Sequence, residues 1–400
     1  MLMKIVRRKV NKRPTPRVKA GRYGINPRSL RETIKAVDKQ FLAVIYILLA
    51  IGLLMVLSAS SPIAFASSGT NHDSFFYFKK QLMWAAVGSV LMYATANFDY
   101  RQIKKLAAPA FGLSLLLLLL VLVPGIGRKV NDARRWIYLG PINFQPSEVA
   151  KIATIAFFSA LLSENYKKVG EFKEFVKYIM FIGVIAGLLM MEPHFSCTML
   201  IAATACVLLF VAGAKFQHFL ALGCCGVPLI IYMIIDAPYR LARVTSFMDP
   251  FKDIQGDGWQ VVQSLYAIGS GGLFGAGIGQ SRQKYMNIPE PQNDFIFSIY
   301  AEEFGFIGAI LVIALFAYLI IRGIKIALNA PDMFGTLLAT GIVAMIALQA
   351  IINIAVVTSS MPVTGMPLPF FSYGGTALAI TMAEMGIVLN ISGAKKEKQE

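Results

Sequence analysis

The feature that most constrains this chain is a series of apolar runs, each near the ~20 residues a helix needs to cross bilayer hydrocarbon. Ten can be read: 41–60, 81–97, 106–123, 149–163, 178–191, 197–213, 219–235, 304–322, 333–357 and 372–391. Apolar residues make up 56% of the chain and charged ones 15%. Soluble domains carry about a quarter charged residues. Polar surface is therefore too scarce to coat several soluble globules, and a bilayer removes that need. The expected fold is an all-α polytopic membrane protein of about ten transmembrane helices. Its domain plan is a basic tail (1–40), a membrane domain (41–391) and a short tail (392–400).

Charge gives the orientation. Residues 1–40 hold thirteen Lys or Arg, against Glu32 and Asp38 as acids. A basic tail could bind nucleic acid, but beside a membrane span it reads as a cytoplasmic topogenic segment, and no nucleic-acid partner is expected. With both tails inside, the cytoplasmic links hold Arg101, Lys104, Lys105, then Lys167, Lys168, Lys173, Lys177, then Lys215, then Arg322 and Lys325. All agree with the positive-inside rule. The protein is expected in the cytoplasmic membrane with both termini cytoplasmic. The extracytoplasmic links are then 61–80, 124–148, 192–196, 236–303 and 358–371. The fourth, between spans 7 and 8, is far too long for a connector. No cleavable signal peptide is visible, since the first apolar run starts at Phe41 and is long enough to span.

Several residues could carry chemistry. Asp294 precedes Phe295-Ile-Phe297, and an acid against an apolar wall at a membrane surface loses solvent and gains basicity; the other reading is a helix N-cap or a solvated loop acid. Glu302 and Glu303 lie more than two turns further on and are expected to stabilise the helix dipole. The Gly-rich run from Gly269 to Gly279 lacks the P-loop Lys and suggests close backbone approach or a bend. The spacing of Val261, Val262, Leu265 and Ile268 suits a helix lying on the bilayer. Arg134-Arg135-Trp136 could grip a phosphate and a sugar, or could anchor the interface. Glu148 and Lys151, three apart at the start of the fourth run, are either a structural pair or a ligand-facing one. Glu192-Pro-His194 forms a tight turn, with His194 a turn-facing polar residue. Glu384, inside the last run, asks for a partner that the sequence does not name. The four cysteines sit in apolar runs as small hydrophobes, and three scattered histidines support no zinc site. Pro362-Val-Thr-Gly365-Met-Pro-Leu-Pro-Phe-Phe-Ser-Tyr-Gly-Gly375-Thr cannot be helical. Irregular backbone at membrane depth must be buried in protein or line a cavity, so it is expected to line one beside the large loop.

These residues carry a resemblance. Asn353 with the segment Pro362–Thr376 resembles the signature of the SEDS proteins (shape, elongation, division and sporulation), which include FtsW, RodA and SpoVE. Pro289-Glu-Pro-Gln-Asn-Asp294-Phe-Ile-Phe with Ala301-Glu-Glu303 is similar to a second family motif, and Arg135-Trp136-Ile with Gln145-Pro-Ser-Glu-Val-Ala-Lys151 to a third. The wording Pro-Glu-Pro-Gln leans towards the FtsW/SpoVE branch. The resemblance implies a ten-span, inverting glycosyltransferase that polymerises lipid II beside a class B penicillin-binding transpeptidase and divisome or sporulation proteins. It places the catalytic aspartate on Asp294. Substrate contacts are implied at Arg135, Trp136, Glu148, Lys151, Lys80, Ser372 and Tyr373. The leaving pyrophosphate needs positive charge from Arg134, Arg135, Lys151, Arg240 or Arg243, or from a divalent cation such as Mg or Mn. Two departures stand out: Pro193-His194 where the family has Pro-Asp, and Lys80 where it has Arg, which loses bidentate geometry. A lipid II flippase and a non-catalytic scaffold for a transpeptidase remain alternatives.

Overall fold

The computed structural model describes residues 37–394, apart from 131, 132, 140, 141, 253, 255, 257 and 286. The basic tail before residue 37 and the terminal Lys395, Lys396 and Lys398 lie outside the described residues. The helices are α1 (Lys39–Ala66), α2 (Phe76–Asn97), α3 (Tyr100–Leu122), α4 (Pro146–Asn165), α5 (Phe172–Met191), α6 (Phe195–Ala212), α7 (Phe216–Ile235), α8 (Pro238–Met248), α9 (Trp259–Ser270), α10 (Ile296–Asn329), α11 (Met333–Val357) and α12 (Gly375–Gly393). Each predicted run corresponds to one helix of 18 residues or more. Eight of those helices are long and apolar enough to cross a membrane. The other two are α2, which carries Lys79 and Lys80 in its first turns, and α4, which carries Glu148 and Lys151. The fourth and fifth runs look short in sequence, yet their helices are 20 residues each. Charged residues in their first turns hide the true length.

The helices pack as a membrane bundle does, through small residues and interhelical hydrogen bonds. Where α12 crosses α2, a Cβ on Gly386 would lie 2.0 Å from Thr95 Oγ1. That hydroxyl donates to the Ala383 carbonyl at 2.9 Å. α11 is apolar around its circumference and buries residues on all sides, among them Leu337, Ile342, Gln349 and Asn353. A helix hydrophobic all round belongs in a core. By contrast, α7 buries only His218 and turns Leu220, Val227, Ile231 and Ile235 outward.

Two regions differ from expectation. The link between α3 and α4 is a small antiparallel sheet of β1 (Gly127–Val130), β2 (Ala133–Leu139) and β3 (Ile142–Phe144), in the order β1-β2-β3. Alternation along β2 buries Ala133 and Ile137, on the face shared with Arg135; Arg134, Trp136 and Tyr138 take the other face. The second region is α9. Its spacing suits an interfacial helix, but Val261, Val262 and Ala267 are buried, and Ser264 Oγ lies 2.6 Å from Ser298 Oγ and donates to the Val357 carbonyl at 2.7 Å. The apolar face is matched to α10 and α11. It is α8, with no buried residue among those described, that lies exposed. The last part of the large connection, residues 296–303, is helical and forms most of the first segment of α10. That helix breaks at Gly305 (φ 69°, ψ −169°).

Candidate functional site

The segment 362–374 is the hub of the site. It has no helix or strand, and its carbonyls and amides are met by side chains from α2, α6, α8 and α11. Asn353 Nδ2 donates to the Met366 carbonyl at 2.7 Å, and Gln349 Nε2 to that of Pro367 at 2.9 Å. Gln81 of α2 donates to the Ser372 carbonyl at 3.1 Å and accepts from the Gly374 amide at 3.2 Å. Ser196 Oγ donates to the Thr364 carbonyl, and Arg243 of α8 to that of Val363 at 3.3 Å. The desolvation of polar residues in the centre of α11 is thus offset: each holds irregular backbone in place.

Asp294 is attached to this hub. Asn353 Nδ2 also donates to the Asp294 carbonyl at 2.7 Å, and the amide of Tyr373 donates to the Gln292 carbonyl at 2.8 Å. A Cβ on Gly365, which adopts φ +68°, would lie 3.7 Å from Asp294 Oδ2. The carboxylate makes no hydrogen bond or ion pair with the side chain of another described residue. It does not cap α10, whose N-cap is Phe295 with no side-chain cap bond. Burial raises the Asp294 pKa above the 3.8 of an ordinary aspartate, and the nearby Arg243 opposes that rise. A half-buried, unengaged carboxylate of raised basicity is what proton abstraction from a sugar hydroxyl requires.

The other expected residues separate into two groups. Lys151 and Glu148 form an ion pair at 2.8 Å, both nearly buried. Glu384 of α12, partnerless in the sequence, lies within electrostatic reach of both. Arg135 turns inward and donates to the carbonyls of Glu192 and Pro193. It holds the α5–α6 turn rather than standing open for a phosphate. In that turn burial pushes the Glu192 carboxyl up to about 8, with Arg135 opposing. Burial also lowers His194 to about 3, with Arg135 and Lys151 acting the same way. Both Glu192 carboxyl oxygens are buried without a hydrogen-bond partner. Thus His194 is a neutral, half-buried residue of a polar cluster, its Nδ1 buried, and not simply a turn-facing one.

Trp136 is partly exposed on β2, paired opposite Arg128. Tyr373 packs edge-on against Tyr77, with ring centroids 5.0 Å apart. Ser372 uses its hydroxyl locally, accepting from the Leu368 amide at 2.7 Å. Lys80 is exposed, its ammonium 4.2 Å from the centre of the Phe76 ring. Of the other cations, Arg134 donates to the Leu122 carbonyl at 3.2 Å and Arg240 to that of Met233 at 2.9 Å. Among the described residues no three His, Cys, Asp or Glu side chains gather as a metal cage. A magnesium-type ion, however, uses one or two carboxylates plus substrate phosphate, which Asp294 fits.

Sequence reasoning missed one buried system. Glu302 and Glu303 are not first-turn acids. Glu303 pairs with Lys284 at 3.0 Å, both side chains buried. Lys284 Nζ also donates to Ser58 Oγ at 3.0 Å and to the Gly279 carbonyl at 2.7 Å. Glu302 accepts from the Arg282 amide at 2.9 Å and from Ser281 Oγ. The Gly-rich run provides the close approach: a Cβ on Gly275 would lie 2.2 Å from the Glu303 carbonyl oxygen. The gap left at Gly305 is filled by the Phe306 amide donating to the Gly272 carbonyl at 2.9 Å. The adjacent acids at 302 and 303, with a lysine in the preceding loop, were the available signal.

Comparison with known proteins agrees with this architecture. The family described as cell cycle protein (FtsW/RodA/SpoVE) matches residues 38–397. Stage V sporulation protein E of Bacillus subtilis is 44% identical over 365 residues, covering 90% of this chain and 98% of that protein. A probable peptidoglycan glycosyltransferase FtsW of Trichlorobacter lovleyi is 40% identical over 360 residues, 90% of this chain and 94% of the other. Among solved structures, a chain from work on the structural coordination of polymerization and crosslinking by a peptidoglycan synthase complex superposes with TM-score 0.74 at 30% identity, covering 89% of this chain and 98% of that one. The rod shape determining protein RodA of Thermus thermophilus superposes with TM-score 0.64 at 28% identity, covering 89% of this chain and 97% of that one. Such a bundle, carrying an unengaged aspartate beside an irregular hub, is that of a polytopic membrane protein of the SEDS class. The chain belongs to the FtsW/RodA/SpoVE family.

Proposed function

We propose that this protein is a peptidoglycan glycosyltransferase that polymerises lipid II at the outer face of the cytoplasmic membrane. The observation that carries the reading is the carboxylate of Asp294, desolvated, free of side-chain partners and fixed through its own carbonyl by Asn353. Asp294 takes the proton from the acceptor sugar's 4-hydroxyl as that oxygen attacks the donor's anomeric carbon. The bond to the polyprenyl pyrophosphate breaks in the same displacement. One base and no covalent intermediate suffice for an inverting transfer, because pyrophosphate leaves without the strong acid that hydrolases need.

Arg243 is the cation best placed to meet the leaving pyrophosphate. It acts electrostatically on Asp294 and is exposed on α8. Its bond to the Val363 carbonyl, at 3.3 Å, uses one N–H of the guanidinium, and the fork has five. Arg134, Arg135 and Arg240 are less exposed than Arg243 and bond the carbonyls of Leu122, Glu192 and Met233, and Lys151 holds Glu148. A divalent cation, where one is used, would be held by Asp294 and the phosphates and supply further charge. Lipid-linked donors explain a site at the bilayer surface: polyprenyl chains stay in lipid while sugars meet the large connection. The orientation follows from the positive links, with both termini cytoplasmic. The solved complex that couples polymerization to crosslinking supports a transpeptidase partner of the class B penicillin-binding type. The named relatives support a role in division or sporulation.

The test uses purified protein, lipid II and a partner transpeptidase, scored for glycan chains. The native protein makes polymer, and Asp294→Asn lowers the yield by at least ~100-fold, the lower end of the loss of a general base. Polymer from the variant at the native rate removes Asp294 as the base. Lipid II crossing vesicles without polymer formation would replace the enzyme with a flippase.

A further inference from the structure

Three helix ends meet at the end of the bundle opposite Asp294: the start of α1, the last turns of α10 and the end of α12. Along the unbroken part of α10, Lys325 lies roughly 30 Å beyond the break at Gly305, at 1.5 Å per residue. The helix ends enclose a cleft of 290 Å³ whose lining includes Asp38, Arg322, Lys325, Ile326, Asn329 and Ser392. That volume is near the lower edge of ligand pockets, ~300 Å³.

Its polar groups are not balanced among themselves. Asp38 is fully committed: one oxygen accepts from the Phe41 amide at 2.9 Å and caps α1, and the other pairs with Arg322. Its backbone amide donates to Ser392 Oγ at 3.0 Å, tying α1 to α12. Arg322 keeps Nε buried without a hydrogen-bond partner, and a buried unmet N–H asks for an acceptor. Lys325 makes no ion pair or hydrogen bond with a described residue. Among the described residues, the lining thus presents two cations and one committed anion. Next to it, Tyr318, Ile321 and Ile324 of α10 stand 40%, 49% and 38% exposed, an apolar strip leading from the cleft along the bundle's outer surface.

We propose that this cleft binds the phosphodiester headgroup of an anionic membrane lipid. The phosphate oxygens accept from the Lys325 ammonium and from guanidinium N–H groups of Arg322 that Asp38 does not hold, Asn329 and Ser392 meet the glycerol hydroxyls, and the acyl chains lie on the strip of α10. Basic clefts between transmembrane helices bind anionic headgroups in this way, and the planar guanidinium suits a phosphate better than an amine does. The apolar strip selects a lipid over a soluble phosphate. The site is separate from the chemistry at Asp294 and does not rest on it.

The experiment is native mass spectrometry of the full chain titrated with phosphatidylglycerol, phosphatidylcholine and inorganic phosphate, with thermal unfolding of the same samples. Phosphatidylglycerol is expected to bind in preference to phosphatidylcholine and to raise the unfolding temperature. Lys325→Gln, at an exposed position, should weaken that binding about five-fold, the effect of one basic residue at an anionic surface; Lys325→Glu should abolish the preference. Arg322→Gln also breaks the pair with Asp38, so Asp38→Asn serves as its companion: it keeps the native cations, removes the anion, and should strengthen binding. Equal binding of the two lipids, or native affinity in Lys325→Glu, overturns the proposal. Displacement of the lipid by millimolar inorganic phosphate overturns the lipid assignment.

Discussion

Replacing Lys284 with Met should be among the most damaging single changes outside the site. The Lys284 and Glu303 side chains are 3% and 0% exposed, 3.0 Å apart. At that distance the bare attraction is about 5–6 kcal/mol at an effective dielectric of 20. Much of that offsets the cost of burying both charges, so the pair itself adds little net stability. Breaking it is different. Lys284→Met leaves Glu303 buried with only Ser58 and the Ser281 amide as donors. Removing one partner of a buried pair costs about 3–5 kcal/mol. The loss should also loosen the segment between Gly275 and Lys284, which leads into Asp294. Reversible unfolding in mixed micelles measures it, in a cycle of Lys284→Met, Glu303→Leu and the double variant. Each single variant should lose about 3–5 kcal/mol and the double variant much less. Single variants within about 1 kcal/mol of the native protein, or a double variant as unstable as the sum of the singles, would refute the coupling.

Other outcomes follow from the same geometry. Polymerisation should fall as pH drops through the raised pKa of Asp294, with the acid limb above 3.8, because the base acts only when ionised; a pH–rate profile reads it. Glu192, raised to about 8, should contribute stability that is full below its unfolded value of ~4.3 and lost as pH rises through that raised value. Glu192→Gln should therefore raise the unfolding temperature well above the raised pKa and change it little below the unfolded one, as thermal scans at about pH 9 and about pH 4 would show. Gly275→Ala meets both a left-handed backbone (φ +84°) and the Glu303 carbonyl oxygen at 2.2 Å. It should cost well beyond the ~1–2 kcal/mol that Gly277→Ala loses to backbone conformation alone. Comparing their unfolding midpoints tests the steric contribution.

The spans were legible because bilayer thickness sets a length and an apolar content that local composition must meet. The same locality made the positive links, the non-helical segment 362–374 and the Asp294 motif readable. Partnerships were not readable, since they join residues far apart in the chain. Glu384 comes within electrostatic reach of Lys151, Glu303 meets Lys284, Gln81 holds Ser372 and Gly374, and Asn353 grips Asp294 only after the helices pack. Arg135 looks like a phosphate ligand beside Trp136, yet strand alternation turns it inward to the Glu192–Pro193 carbonyls. The linear order therefore determined which segments form long apolar helices and which residues are chemically able to act. Packing alone decided which charges serve structure and how Asp294 comes to be desolvated without a side-chain partner, because desolvation and pairing depend on neighbours that the chain brings together only when folded.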